Sequence, residues 1–328
     1  MKQGSFETYH APEWTRLESI LDTLESRRKR QEGLSDEDYL QFSQLYRRIC
    51  HYHSLARERK YSSTLVDMLD DLVARGYRLQ YRREHRFRQQ FTRFFVLDFP
   101  QLIRREWRYF LVANILFYLP ALILAIAILR FPELVYSIVD PQQAAQMESM
   151  YDPANRVLGE ARDSGSNWMM FGFYINNNIG ISFRCFATGI LYGIGSIFFV
   201  LYNGLLLGAV SGHLINMGFT QTFFSFVIAH GAFELTAINI SGAAGLKLGM
   251  ALLSPGNLTR RESLKKNGLI AIQMMYGVVA MLLVAAFIEA FWSSNNVFEY
   301  WQKYLVGFLT WSLVCIYFGF AGRRRGSE

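Results

Sequence analysis

The stretch "YFLVANILFYLPALILAIAIL", residues 109–129, decides the fold class because it contains no charged residue. A helix needs about 20 apolar residues to cross the hydrocarbon of a bilayer. Three more charge-free runs of similar length follow at Cys185–Gly212, Leu269–Ile288 and Tyr304–Gly322. The sequence therefore predicts an all-α, polytopic membrane protein, although its average composition of 51% hydrophobic and 19% charged residues would suit a soluble chain.

Residues 1–106 are predicted to form a basic, cytoplasmic helical domain that leads into the membrane domain, residues 107–328. Its apolar residues recur at helical spacing, as at Trp14, Leu17 and Leu21, and Gly33 and Ser35 are predicted to separate two helices. Ten arginines lie between residues 75 and 108. Because they stop where the apolar run begins, they indicate anionic lipid headgroups as partner and not nucleic acid. The three nearest the membrane are Arg104, Arg105 and Arg108.

Charge asymmetry predicts the topology. Cationic flanks stay in the cytoplasm, so both termini and residues 260–266 ("RRESLKK") are expected there, and the acidic loop at about 131–183 is expected outside. Four full spanning helices are predicted at about 108–130, 184–214, 267–291 and 303–322.

One segment, Met217–Leu253, does not fit this scheme, because both its ends are expected in the cytoplasm. Its 37 residues would make about 55 Å of helix, too long for one crossing and cramped for two. We therefore predict a broken or re-entrant helical hairpin, which makes nominally six membrane helices. Non-helical backbone at that depth must be enclosed by protein or line a wet cavity.

The same segment contains His230 and Glu234 one helical turn apart, and ionisable groups at membrane depth usually pair with a partner. The alternatives are metal ligands, a proton or ion path, and a polar clasp in which His230 donates to Glu234 or both side chains bond neighbouring backbone. His213 and Glu289 are further candidates for a path or a ligand set. No HExxH motif, P-loop or nucleophilic triad is present. The sequence favours the clasp and predicts no metal, no cofactor and no enzymatic activity.

Glycines four residues apart predict close helix packing, either within one chain or across a homo-oligomer, for which a dimer is favoured. These glycines are Gly189, Gly193, Gly204, Gly208, Gly212, Gly245 and Gly249.

Three stretches carry a resemblance to a known family: "NNNIGISFRCFATGILYGIGSIFFVLYNGLLLGAV" (176–210), "HGAFELTAINISGAAGLKLG" (230–249) and "AFIEAFWS" (286–293). They resemble the stage II sporulation protein M family of integral membrane proteins. The resemblance assigns a signature to His230, Gly231, Phe233, Glu234, Gly242, Ala243 and Gly245, and Asn239 lies within it.

The resemblance implies a scaffold or assembly protein of the bacterial inner membrane, because the best-known member works with peptidoglycan-degrading partners. The basic N-terminal domain departs from that member, so envelope proteins in general are the expected partners. The alternative function is a channel or secondary transporter whose path follows the broken segment.

Overall fold

The computed structural model describes residues 2–29, 36–155 and 164–323, and every regular element within these ranges is helical. This confirms the predicted all-α fold. The chain divides into two compact units, Met1–Thr92 and Arg93–Glu328. The three cysteines are free.

The N-terminal unit consists of α1 (Gln3–Lys29), α2 (Asp36–Glu58) and most of α3 (Ser63–Arg93). Each helix turns one apolar stripe towards a shared core, which stabilises the unit by removing that surface from water. The fully buried side chains of this core include Phe6, Leu17, Leu21, Ile49 and Leu69. The predicted helix separators Gly33 and Ser35 lie outside the described residues.

Within the described residues, five helices are long and apolar enough to cross a membrane: Trp107–Arg130, Ile194–Asn216, Thr220–Leu253, Arg260–Ser293 and Tyr300–Phe320. We number the helices of this unit α4 (Phe99–Arg105), α5 (Trp107–Arg130), α6 (Pro141–Tyr151), α7 (Ser164–Ala187), α8 (Ile194–Asn216), α9 (Thr220–Leu253), α10 (Arg260–Ile288) and α11 (Tyr300–Phe320). The charge-free runs predicted α5 and α11 within a few residues, whereas α10 begins at Arg260, seven residues before its predicted start at 267.

Helices α5 and α8 pack in parallel, with glycines at the contact. A methyl group added to Gly204 would overlap the Phe117 carbonyl, and one added to Gly208 would overlap the Ala121 carbonyl. Residue numbers thus rise together along both helices. We call the face where α5 begins the near face and the face where α5 ends the far face. Helix α8 also runs from near to far.

Helix α7 returns the chain from the far face to the near face. Its start lies at the far end of α10, where Trp168 and Phe291 have ring centroids 5.1 Å apart. Near its end the Cys185 carbonyl accepts a hydrogen bond of 2.6 Å from Ser196 Oγ at the start of α8. The predicted single helix at 184–214 is therefore wrong, and the predicted loop at 131–183 contains α6 and most of α7.

The prediction that Met217–Leu253 is broken or re-entrant is also wrong, because α9 is one unbroken helix of 34 residues. It runs antiparallel to α8: Gly242 lies against Val200, whereas Gly249 lies against Gly193. At 1.5 Å per residue the helix is about 51 Å long, so it extends beyond a hydrocarbon layer of about 30 Å. It is the most buried of the five apolar helices, and its neighbours surround it.

With α7 added and α9 unbroken, the loops after α5 and α8 are expected on one side of the membrane and the loop after α9 on the other. Cysteines introduced at Ser137 and Met217 should react with a membrane-impermeant thiol reagent from the same side, and a cysteine at Leu258 should react only from the other. A broken α9 would instead put positions 217 and 258 on one side. The measurement requires a background in which the three native cysteines are serine.

Candidate functional site

The buried face of α9 presents His230 and Glu234 towards the far end of α10. Their Nε2 and Oε2 atoms are 4.0 Å apart, which exceeds the length of a hydrogen bond. The direct form of the predicted clasp, in which His230 donates to Glu234, is therefore not formed in this structure.

A π-helical turn, Glu289–Ser293, follows α10 and completes the site from the opposite side. Glu289 joins His230 and Glu234, and one ligand atom from each of the three lies within 4.8 Å of the other two. Ser293 Oγ lies 3.0 Å from His230 Nδ1. When Nδ1 carries the proton and donates to Ser293, the lone pair of Nε2 is left free on the side of the carboxylates.

The polar groups of this cluster are incompletely satisfied. Glu289 is only 8% exposed, and its Oε2 is buried without a hydrogen bond of standard geometry, although the Asn178 amide of α7 interacts with this carboxylate. An unpaired buried polar group costs about 1–3 kcal/mol, and more when it is charged. The cluster is thus poorly suited to a purely structural role.

Two separate cavities lie near the cluster and share two lining residues, Tyr151 and Phe226. The cluster cavity, of about 250 Å³, is bounded by His230, Glu234 and Glu289 together with apolar side chains of the surrounding helices. The far-face cavity, of about 260 Å³, has a polar lining that includes Thr222 and Lys303.

The rings of Tyr151 and Phe226 border both cavities, with centroids 5.9 Å apart. Phe226 also packs on the His230 ring at 5.2 Å. Burial raises the pKa of the Tyr151 phenol, and the neighbouring Glu289, Tyr174 and Glu234 raise it further. This aromatic pair therefore lies between the far-face cavity and the acidic cluster.

A family profile described as Stage II sporulation protein M matches residues 113–294, more than half of the chain. The chain belongs to the stage II sporulation protein M family. A second profile, described as Domain of unknown function (DUF8413), matches residues 4–82. Neither a curated protein nor a solved structure matches the chain. The cluster residues and Tyr151 all lie within the part matched by the stage II sporulation protein M family.

The family signature divides into two physical roles along α9. Its first part, with His230, Gly231 and Glu234, borders the cluster cavity. Its second part packs against other helices: a methyl group on Gly242 would overlap Val200, and one on Gly245 would overlap Ser196 Oγ. Phe233 packs against the apolar core of the unit, to which Ala243 belongs. Asn239 is fully buried, and its amide interacts with the Tyr118 hydroxyl without reaching standard hydrogen-bond geometry.

The remaining predicted packing glycines make contacts within this one chain. Gly189 approaches the backbone of Gly245, Gly193 approaches that of Gly249, and Gly212 approaches that of Ala125. Gly193 also has a φ of +84°, a left-handed conformation that glycine adopts without strain.

His213 lies apart from the cluster. Its Nε2 is 2.7 Å from Glu148 Oε1 on α6, so the predicted set of four candidates is reduced to three. Sequence reasoning missed Tyr151 and Ser293. The sequence did contain a signal for α6, because Asp140 before Pro141 is a favourable helix start. The Asp140 carboxylate accepts a hydrogen bond of 2.8 Å from the backbone N–H of Gln142.

The three membrane-proximal arginines have different surroundings. Arg104 donates to the carbonyls of Phe318 and Ala321 at 2.7 and 2.6 Å, so it caps the end of α11 where the sequence predicted a lipid contact. Arg105 is largely exposed beside Glu106, and the Arg108 guanidinium lies over the Trp107 ring at 5.8 Å. Lipid binding stays a prediction for Arg105 and Arg108.

Proposed function

We propose that the membrane unit binds a small cation within the bilayer and passes it across as a secondary transporter or channel. The observation that supports this is a cavity bordered by His230, Glu234 and Glu289, in which two carboxylates lie without a cationic partner among the residues that border it. Carboxylates at membrane depth are costly and commonly mark ion or proton routes. A purely structural cluster would be expected to satisfy its own hydrogen bonds.

The route that this proposal requires begins at the far face. An ion would enter the far-face cavity, pass the rings of Tyr151 and Phe226, and reach the cluster. Towards the near face, α9 packs backbone to backbone on Gly189 and Gly193, which leaves little room beside it. Passage therefore requires a movement of α9 relative to α7 and α8, in keeping with an alternating mechanism.

Flux through proteoliposomes tests the proposal. With a trapped pH-sensitive dye and a trapped Zn²⁺ indicator, Glu234→Gln and Glu289→Gln should each lower flux by at least about tenfold, the equivalent of ~1.4 kcal/mol. The matched control is Glu148→Gln, which removes a carboxylate paired with a histidine elsewhere in the same unit and should leave flux unchanged. Equal flux in wild type and both cluster variants, for protons and for Zn²⁺, would contradict the proposal.

We propose further that the near face is cytoplasmic and that the membrane is the bacterial inner membrane. Residues 260–266, with four cations and one acid, lie between α9 and the body of α10 and therefore at the near face. Arg105 and Arg108 are at the same face. Both termini are then cytoplasmic, and anionic headgroups attract the exposed arginines.

A second candidate function is the non-enzymatic scaffold of the cell envelope. Its support is the N-terminal unit, which has an apolar core of its own and can present a folded surface to other proteins. The packing glycines are used within the chain, so they lend no support to a dimer. Crosslinking in cells followed by purification should recover a defined envelope protein, and recovery should be lost when residues 1–92 are deleted.

A further inference from the structure

We propose that His230, Glu234 and Glu289 coordinate one divalent transition-metal ion of the Zn²⁺, Mn²⁺ or Fe²⁺ class. This inference rests on the proposed function in that it names the cation which the cluster holds. The ligand atoms are His230 Nε2 and one carboxylate oxygen from each glutamate.

The spacing of these atoms suits an ion better than it suits direct contact. His230 Nε2 and Glu234 Oε2 are 4.0 Å apart, and all three ligand atoms lie within 4.8 Å of one another. Metal–ligand bonds of about 2.0–2.2 Å in a tetrahedral arrangement place neighbouring ligands about 3.4 Å apart. A rotation of the two glutamate side chains that moves their carboxylate oxygens about an ångström towards the centre closes that difference.

An independent observation points to a missing positive partner. Glu289 is more than nine-tenths buried, one of its carboxylate oxygens lies within 4.8 Å of the His230 and Glu234 ligand atoms, and its Oε2 makes no hydrogen bond of standard geometry; the residue that interacts with this carboxylate is the neutral Asn178. Buried charges in proteins are paired or bound to metal. An ion at the centre of the three ligand atoms gives the Glu289 carboxylate a positive partner, which the neutral Asn178 amide does not supply.

Charge balance selects the valence of the ion. Two carboxylates carry two negative charges, so a divalent cation makes a neutral complex with a neutral imidazole, and neutrality lowers the cost of burial in apolar surroundings. The imidazole nitrogen selects the class, because Mg²⁺ and Ca²⁺ prefer sets made only of oxygen, whereas Zn²⁺, Fe²⁺ and Mn²⁺ accept mixed nitrogen and oxygen ligands.

The π-turn provides the outer support that such sites need. In metal sites the second imidazole nitrogen usually donates to a neighbouring oxygen, which fixes the ring and its tautomer. Ser293 Oγ occupies this position, 3.0 Å from Nδ1. The three ligands leave a fourth position towards the cluster cavity, where water or a carried group can bind.

Metal binding to the full chain in lipid nanodiscs tests the inference. After treatment with a chelator and equilibrium dialysis against Zn²⁺, the wild type should hold one Zn²⁺ per chain, as measured by inductively coupled plasma mass spectrometry. Bound Co²⁺ should give the intense visible absorption of a four-coordinate site. His230→Ala, Glu234→Gln and Glu289→Gln should each weaken Zn²⁺ binding at least about tenfold, and His213→Ala and Glu148→Gln should leave it unchanged.

Thermal unfolding provides a second readout that does not depend on stoichiometry. A ligand that binds only the folded state raises the unfolding temperature, so Zn²⁺ should stabilise the wild type and the His213→Ala control but not Glu289→Gln. The uncharged glutamine is nearly isosteric, so this variant is expected to fold. Binding that persists in Glu289→Gln, or that is lost equally in the His213→Ala control, overturns the inference.

The two proposals fail in different ways. Zn²⁺ bound at one per chain with no flux contradicts transport and leaves the metal site standing. Proton flux that depends on Glu234 and Glu289 without any Zn²⁺ or Co²⁺ binding contradicts the metal site and leaves the path standing.

Discussion

Lys247→Ala is expected to destabilise the membrane unit by about 3–5 kcal/mol, the usual cost of breaking a buried ion pair from one side. The Lys247 ammonium is 7% exposed and donates to Glu106 Oε2 at 2.8 Å. It also lies 5.2 Å from the centre of the Tyr109 ring. Truncation to alanine leaves the Glu106 carboxylate buried with only the Arg105 guanidinium, 3.3 Å from its other oxygen.

The measurement is equilibrium unfolding of the purified chain in mixed micelles. The informative control is the pair Lys247→Met with Glu106→Gln, which removes both charges and keeps similar volumes. Because the double variant leaves no uncompensated charge, it should recover most of the stability that Lys247→Ala loses. If Lys247→Ala unfolds at the wild-type midpoint, the ion pair does not hold α9 to the start of α5.

Gly204→Ala is expected to cost about 1–3 kcal/mol, as overpacking of a well-filled contact does. The added methyl group would overlap the backbone carbonyl of Phe117, and a backbone atom cannot rotate aside as a side chain can. The substitution acts against helix propensity, since alanine is favoured over glycine by about 1 kcal/mol in a helix. Any net loss of stability therefore reports the contact between α5 and α8.

Gly172→Ala is the matched control, because a methyl group at Gly172 in α7 would meet nothing within 4 Å. That variant should be as stable as the wild type or slightly more stable. Should both alanine variants unfold together, close packing of α5 on α8 is not what the glycine at position 204 provides.

The predictable part of this fold is the part in which apolar runs end at charges. Arg108 and Arg130 bracket the charge-free run of α5, whereas residues 260–266, which were predicted to precede the helix at 267–291, form the first turns of α10. Helix α7 was not predicted as a membrane helix because Asn176–Asn178 and Arg184 lower its mean hydropathy. A helix that is half enclosed by others can carry such residues, and hydropathy alone does not register the enclosure.

The two errors of topology compensate each other. Sequence reasoning merged the end of α7 with α8 and divided α9, so it also counted six passes between the two faces, although α7 is not among the five described helices that are apolar enough to cross a membrane. The sidedness of both termini stays a prediction. The error in α9 has a physical cause: its length exceeds the hydrocarbon thickness, and a continuous helix can project beyond the membrane.

The sequence identified three residues of the site as candidates, but not which of them lie in contact in the folded chain. His230 and Glu234 share a helix face by their spacing, and Glu289 was a candidate because a carboxylate in an apolar run is costly. That Glu289 meets them, whereas His213 pairs with Glu148, depends on tertiary packing. Ser293 was missed because only a π-turn brings it to His230.

The π-turn Glu289–Ser293 contains one residue more than an α-helical turn of the same length would hold. A return to the regular pattern would advance the preceding residues by one position, a rotation of about 100° around the helix axis. Glu289 would then swing away from α9, whereas Ser293 could keep its hydrogen bond to His230. The Ser293 carbonyl accepts a hydrogen bond of 2.7 Å from Lys303 of α11, and this bond fixes one end of the turn. A shift of winding confined to a single turn can thus withdraw one ligand while the other two stay in place.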